Sequence, residues 1–363
     1  MTAQVARYVH PGYVVDKWLE TGAFGLGLGV ALGYVPGVLQ AVDAPRWSLL
    51  AIGIPLLVLG LPRPGMPKWG LLALAYAGVS SIWSLVPIDT LAAFIQLLLC
   101  VGAMMIGLAG YAGAIYRGSL WGLGLNSGLA IAQAWGWNPD FIYQVNPSAG
   151  LFINHNMLAE PIALVLVWGF YEARWLAWTL VPGLVLPMSR GALAATVLMS
   201  MPRLWTRSKV VVILLGLGLA LAMVEQKYQI MPGFAVEHNS SDTGQDVRLS
   251  IWESTWGHLT PWGHGLGQFN AIYPVIALAD PGNQRTSHVH NDLLEWTFEL
   301  GIVGTALWAW LLVVAWKARH MAWGFVLGTF LLESLVGFPF HVPTTALLGF
   351  AAAGAASRQR TGI

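Results

Sequence analysis

The sequence predicts an all-α integral membrane protein with about ten to twelve transmembrane helices and one long loop on the outer face. Three observations predict it. Of 363 residues, 56% are hydrophobic and only 10% are charged, against about 25% charged in an average soluble domain. The apolar residues fall into runs that approach the length of a bilayer-crossing helix, about 20 residues and fewer where a helix tilts or lines a cavity. The basic residues alternate in density between successive runs, which orients the helices. Disorder is excluded because 42 Gly and 20 Pro are spread among apolar runs that also carry 19 Trp. The formal charge of +1 leaves no net field to gather nucleic acid or another polyanion over the surface. Cys100, the single cysteine, lies in the apolar run Leu97 to Met105, so neither a disulfide framework nor a thiolate metal cluster is available.

Twelve candidate spans run in order over residues 22–42, 47–61, 69–85, 91–115, 119–135, 156–171, 174–188, 190–202, 209–224, 293–316, 320–336 and 341–356. Several are short, and those flanking Ser189-Arg190 read as two half-length helices meeting inside the protein. The first span is preceded by some twenty ordinary residues that include Asp16 and Glu20 and shows no small-residue cleavage pattern, so it reads as a retained span. With the N-terminus in the cytoplasm, thirteen basic residues face inward: Arg7, Lys17, Arg63, Lys68, Arg117, Arg174, Arg203, Arg207, Lys209, Lys317, Arg319, Arg358 and Arg360. Five face outward, namely Arg46, Arg190, Lys227, Arg248 and Arg285. That asymmetry predicts an N-in, C-in topology. The whole chain, 1–363, reads as one membrane domain carrying a long outer loop at 225–292 and a shorter one at 136–155. No solenoid or inverted-transporter repeat is visible.

The long outer loop opens on Glu237 to Asp246, a polar stretch that reads as a loop, with Asp246 placed to cap a short helix. On that helix Arg248, Trp252 and Trp256 share a face at i, i+4 and i+8, an arrangement suited to the membrane interface. Arg190 follows Ser189 between two apolar runs, where an arginine is costly unless paired. It is either an internally paired arginine or a guanidinium fork for a phosphate or carboxylate, with Gly191 leaving room for close approach. In Ser287-His288-Val289-His290-Asn291-Asp292 the outer loop re-enters the membrane, and a histidine there suits a general base. A capping role and a His-x-His metal site are the competing readings; the metal site is disfavoured because Arg190 and Arg248 would repel a cation. Asn154 and Asn156 stand as donors at the start of the span that carries Glu160. Gly263-His264-Gly265-Leu266-Gly267 reads as a tight turn whose amides approach something, phosphate oxygens being one choice, and not as a nucleotide loop, since no strand precedes it.

Taken together, Ser189-Arg190-Gly191-Ala192, Arg248-x-x-x-Trp252, Gly263-x-Gly265-x-Gly267-x-Phe269 and His288-x-His290-Asn291-Asp292-x-Leu294 form an ordered series. With Glu299-Leu300-Gly301-Ile302-Val303-Gly304, an earlier Trp83-Ser84-x-x-Pro87 and a late Pro339-x-x-x-Pro343 hairpin, the series resembles the O-antigen ligase and polymerase superfamily over roughly residues 70 to 355. The resemblance implies a type C glycosyltransferase of the bacterial inner membrane, working at the periplasmic face without metal, cofactor or nucleotide sugar. Its donor would be an undecaprenyl-diphosphate-linked glycan, and its acceptor a glycolipid or glycan. Arg190 and Arg248 would neutralise the leaving diphosphate, and His290, or less favourably His288, would deprotonate the acceptor hydroxyl. Attack opposite the leaving group would invert the anomeric centre. His288, Asn291, Asn156, Ser189, Gly265 and Trp252 complete the expected substrate-binding set.

Three acceptors compete within the superfamily. A ligase, in lipopolysaccharide biosynthesis, transfers to the lipid A core; a polymerase transfers to another lipid-linked glycan; a protein O-oligosaccharyltransferase transfers to Ser or Thr. The ligase is placed first on the prevalence of that activity alone, and protein transfer last because no extra soluble domain is visible. A peptidoglycan synthase of the shape, elongation and division type would need a catalytic outer-loop Asp, with Asp242, Asp246 and Asp280 the available residues. A transporter of anionic lipid, with Arg190 as counter-ion, is the reading outside enzymes.

Overall fold

Apolar runs punctuated by Gly, Pro and short polar turns give helices that run back and forth between two ends of the molecule. The computed structural model describes residues 11–36, 41–61, 68–142, 148–152, 154–172, 175–187, 189–207, 213, 216–217, 220, 247–277 and 286–361. Among the described residues there are fourteen α-helices and no strand. In chain order they are α1 (Pro11–Leu32), α2 (Asp43–Gly60), α3 (Lys68–Val79), α4 (Pro87–Leu108), α5 (Ala112–Ala134), α6 (His155–Tyr171) and α7 (Val181–Val185). There follow α8 (Arg190–Arg207), α9 (Val247–Trp256), α10 (Phe269–Ile276), α11 (Asp292–Leu300), α12 (Ile302–Lys317), α13 (Ala322–Glu333) and α14 (Pro343–Thr361). The expected span at 209–224 and the polar stretch from Glu237 to Asp246 lie almost wholly outside the described residues.

α2 and α4 are long and apolar enough to cross a membrane unaided. Ile52, Leu56 and Leu59 on α2, Leu72 on α3, and Ile95 and Leu98 on α4 leave their side chains exposed. A row of apolar side chains facing outward is what a lipid solvent permits and water penalises. α6 is the opposite case. From Leu158 to Phe170 every residue is buried, as befits a helix apolar on all sides and enclosed by neighbours. It packs on α8, α13, α7 and α14. α1 lies along α5, and Gly27 and Gly118 let each backbone touch the other, at Ile115 O and Phe24 O, where any side chain would collide.

Three expected spans change shape. The first helix begins at Pro11, well before residue 22. Its polar part is carried by α5 and the turn before it, since Asp16 accepts from the Tyr111 hydroxyl and Glu20 pairs with Arg117. The run 174–188 forms a 3-10 turn, Trp175–Leu180, and the five-residue α7. The run 293–316 is two helices, α11 and α12, broken at Gly301, whose φ of 59° stops the first. Ile302 N then donates to Pro261 O at 3.0 Å, so the break is also where the outer loop docks.

Helix direction sorts the described charges. Lys17, Arg117, Arg203, Lys317, Arg319 and Arg358 lie at the end where α1 and α5 begin and α8, α12 and α14 finish. The other end gathers the starts of α2, α6, α8, α11 and α14, and with them Arg46, Arg190 and Arg248. The loop segment carrying α9 and α10 packs on α11 through its own apolar cluster of Ile251, Phe269, Tyr273, Val289, Leu294 and Phe298.

Candidate active site

Helix N-termini present unpaired backbone N–H groups, so polar side chains collect there. At the start of α11, Asn291 is the N-cap, its side chain accepting from Leu294 N at 3.0 Å. At the start of α6 the same part is played by Asn154, which accepts from Asn156 N at 2.8 Å. Asn291 therefore works first as a cap, whereas Asn156 leaves its own side chain uncommitted to that cap. Just before Asn291, His290 has φ 57°, a left-handed backbone uncommon outside glycine, to which histidine is more tolerant than most. The chain is thus not extended through residue 290.

The segment between α13 and α14, residues 334–342, organises the rest. Ser334 O accepts from Asp292 N at 2.7 Å, and Phe340 N donates to Asp292 Oδ2 at 3.1 Å. Phe338 stacks on His288 at 4.8 Å between ring centroids and meets His290 edge-on at 5.0 Å. His341 lies 4.3 Å from the His288 ring. Gly337 faces Glu160 on α6, whose Oε1 is 3.0 Å from where a Cβ would stand, and Val336 lies against Gly191 at the start of α8. One hairpin thus touches both histidines of the loop and lies against the starts of α6, α8 and α11.

Glu295, one turn into α11, is the buried centre of the polar group. Its Oε1 is 3.0 Å from His288 Nδ1 and 3.2 Å from His341 Nε2, while Oε2 accepts from Val289 N at 2.8 Å. Its side chain is 2% exposed, against 26% for His288 and 21% for His341. Asp292 Oδ1 stands 3.7 Å from His341 Nε2. His288, Glu295 and His341 offer ligand atoms within 4.8 Å of one another. That is a two-histidine, one-carboxylate set of a kind that can hold zinc, and it differs from the His288 and His290 pair weighed from the sequence.

The remaining expected residues are distributed around this centre. Arg190 is the first residue of α8 and half-buried, with Ser189 buried before it. The charge of Arg248 on α9 acts on the Glu160 carboxylate, so this arginine has an acidic neighbour across the site. Trp252 is folded inward: its Nε1 donates to Val289 O at 3.0 Å and braces the histidine segment, while Trp256 stays 71% exposed. The interfacial reading holds for neither Arg248 nor Trp252 as a free outward face. Gly263, Gly265 and Gly267 all have positive φ. The amides of their turn are spent inside the protein, His264 N on Phe298 O, Gly265 N on Glu299 O and Leu266 N on Ser80 Oγ. The turn clamps the end of α11, and its amides do not face an open phosphate site.

The sequence reading missed Glu295 and His341. A glutamate one turn into an amphipathic helix and a histidine standing alone between Pro339 and Pro343 carry no spacing signal; only the packing of the hairpin on α11 joins them.

Residues 162–309 match a family model described as O-Antigen ligase. No curated protein matches the chain. The matched stretch contains Arg190, Arg248, His288, His290 and Glu295, and the match supports the resemblance of the chain to the O-antigen ligase and polymerase superfamily.

Proposed function

We propose that the protein transfers a glycan from an undecaprenyl-diphosphate donor to a sugar hydroxyl at the periplasmic face of the bacterial inner membrane, with lipid A core as acceptor. In this reading ten to twelve spans cross the membrane, both termini are cytoplasmic, and the loops 136–155 and 225–292 are periplasmic. The observation that carries it is the gathering of His288, His290, His341 and Glu295 on the 334–342 hairpin, beside the helix start that bears Arg190. A buried carboxylate with half-exposed imidazoles handles a proton, and an arginine at a helix start holds an oxyanion.

The reaction asks for both. Cleavage of the bond from C1 to the diphosphate oxygen leaves negative charge that the Arg190 fork stabilises, with Arg248 adding a second cation. A histidine of the 288–290 segment takes the acceptor's proton as its oxygen attacks C1 from the opposite side, which inverts the anomeric centre. An apolar pocket lined by Leu97, Val101, Met104, Met105, Trp296 and Leu307 adjoins α11 and suits an isoprenoid tail. Ser189, Asn156 and Trp252 border the site as substrate-positioning residues, Trp252 through the backbone of Val289.

The transfer is proposed to need no metal, because both oxygens of Glu295 already serve hydrogen-bond donors. The test is purified protein in liposomes with a lipid-diphosphate glycan and, in parallel, lipid A core, a second lipid-linked glycan and a Ser/Thr-rich secreted protein, each with and without EDTA. Transfer to lipid A core that survives EDTA is the expected result. Transfer only to a lipid-linked glycan makes the protein a polymerase, and absence of transfer to all three overturns the enzymatic reading.

A further inference from the structure

Imidazole nitrogens and carboxylate oxygens take protons and divalent metals on the same lone pairs, so a buried group of them with unmet hydrogen bonds is fitted to a cation. The start of α11 and the 334–342 hairpin form such a group. Glu295 Oε1 is 3.0 Å from His288 Nδ1 and 3.2 Å from His341 Nε2, and the ligand atoms of the three residues lie within 4.8 Å of one another. Around a tetrahedral zinc ion with bonds near 2.0–2.1 Å, neighbouring ligand atoms stand about 3.3 Å apart. The two edges that meet at Glu295 already come close to that length. Glu295 Oε2 accepts from Val289 N at 2.8 Å, which holds the carboxylate with its other oxygen toward the rings, as the outer partner of a metal ligand does.

A second observation is what these groups leave unpaired. His341 Nε2, in spite of its approach to Glu295, is buried and makes no hydrogen bond. Asp292 Oδ1 is also buried and without a hydrogen bond, 3.7 Å from that nitrogen, while Oδ2 of the same carboxylate accepts from Phe340 N. Asp292 is 0% exposed. Leaving a buried donor or acceptor unmet is costly, and Asp292 and Glu295 stand one turn apart on a single helix face. A divalent cation between Asp292, Glu295 and His341 gives each unmet atom a partner and offsets both carboxylates. Repulsion from Arg248 is reduced because its charge is met by Glu160 on α6.

We propose that His288, Glu295 and His341, with Asp292 Oδ1 as the fourth ligand, form a zinc site that inhibits the protein when it fills. Two imidazole nitrogens favour zinc and its transition-metal neighbours over Mg²⁺ and Ca²⁺, which prefer oxygen throughout. For the ion to enter, the hydrogen that His288 Nδ1 shares with Glu295 moves to Nε2, and the freed Nδ1 lone pair takes the metal. The ring then has no lone pair left for a proton. His341 at the same time ties the hairpin to α11, and that hairpin touches His290 through Phe338 and Gly191 through Val336. The metal site stands on its own geometry, whereas the loss of activity rests on the glycosyl-transfer reading above, in which transfer itself uses no metal.

The test uses full-length protein, freed of any affinity tag, in liposomes stripped with EDTA and then dialysed. Zn²⁺ affinity is read by competition with a chromogenic chelator, and Co²⁺ is added as a spectroscopic stand-in whose visible absorption separates four-coordinate from six-coordinate metal. A single tight Zn²⁺ site, no competition from Mg²⁺ and a four-coordinate Co²⁺ spectrum are expected. His341→Phe keeps a ring against His288 and removes one ligand. Asp292→Asn keeps an acceptor for Phe340 N and removes the anion. Each is expected to weaken Zn²⁺ binding by about 10-fold or more, and either one suffices if the other does not fold. In transfer assays, half-saturating Zn²⁺ is expected to halve the wild-type rate, with EDTA restoring it, and to remove only about a tenth of whatever rate His341→Phe has without zinc. Zn²⁺ affinity unchanged in both variants, or a six-coordinate Co²⁺ spectrum, overturns the site. Binding at these residues with no loss of transfer overturns the inhibition, and transfer that requires added Zn²⁺ makes the ion catalytic and overturns it as well. A protein that binds Zn²⁺ here and transfers to none of the three acceptors sinks the proposed function and leaves the metal site standing.

Discussion

Arg190 stands at the first position of α8, next to Gly191, which Val336 packs against, so its guanidinium is presented from a helix start whose dipole already favours anions. A lysine would keep the charge and lose the planar fork. Arg190→Lys is therefore expected to fall to within a few-fold of Arg190→Ala in kcat/KM, read from initial rates on equal amounts of folded protein. Turnover near wild type in the lysine variant would return Arg190 to a structural role. Trp252 makes the complementary case, since its indole donates to Val289 O and so holds the loop that carries the histidines. Trp252→Phe keeps most of the packing and loses that bond, and is expected to cost about 1 kcal/mol of stability with an equal or larger effect on kcat than on KM. Arg190 and His288 were legible because a charged or titratable side chain stands out in so apolar a chain. Glu295 and His341 were not, because their significance lies in a contact across 46 residues that no local pattern announces.

At the level of elements, the start of α11 separates capping from chemistry. Asn291 binds Leu294 N through its side chain, and serine or aspartate can do the same. Asn291→Ser is expected to retain most activity and thermal stability, whereas Asn291→Ala loses about 1 kcal/mol and activity with it, a comparison made by thermal unfolding beside transfer assays. Equal loss in both would assign the amide a direct part in substrate binding. The apolar runs of the chain placed α6 and α13 to within a few residues, whereas the run expected over 91–115 crosses the turn between α4, which ends at Leu108, and α5, which begins at Ala112. They failed where tertiary partners overrule composition. α1 starts early because Arg117 and Tyr111 accommodate its acidic face. α11 and α12 separate because Gly301 and the Gly263 turn meet there. The hairpin at 334–342 was visible only as two prolines, yet it is the element against which the others are arranged.

Across the whole molecule, six described basic residues gather at one end and the polar helix starts at the other, and a labelling experiment can assign the ends to membrane sides. Cys100 is the single cysteine and is buried, so the natural chain is already a blank for thiol reagents. Trp135→Cys, at a site 88% exposed, is expected to react with a membrane-impermeant maleimide in intact spheroplasts. Arg319→Cys should react only after permeabilisation, and the opposite pattern would invert the topology. The central hairpin also has a consequence for how the protein is made. In the proposed topology Glu160 enters the bilayer on α6, but Gly337, against which its carboxylate finally rests, lies 177 residues later in the chain. At ordinary rates of synthesis that is a wait of roughly 10 to 35 s, during which a helix bearing an acidic group must reside in or beside the translocon without the segment that completes its surroundings. The candidate site is therefore, in this topology, a late product of biogenesis, assembled only when the last helices have been inserted and have closed the bundle around groups inserted long before.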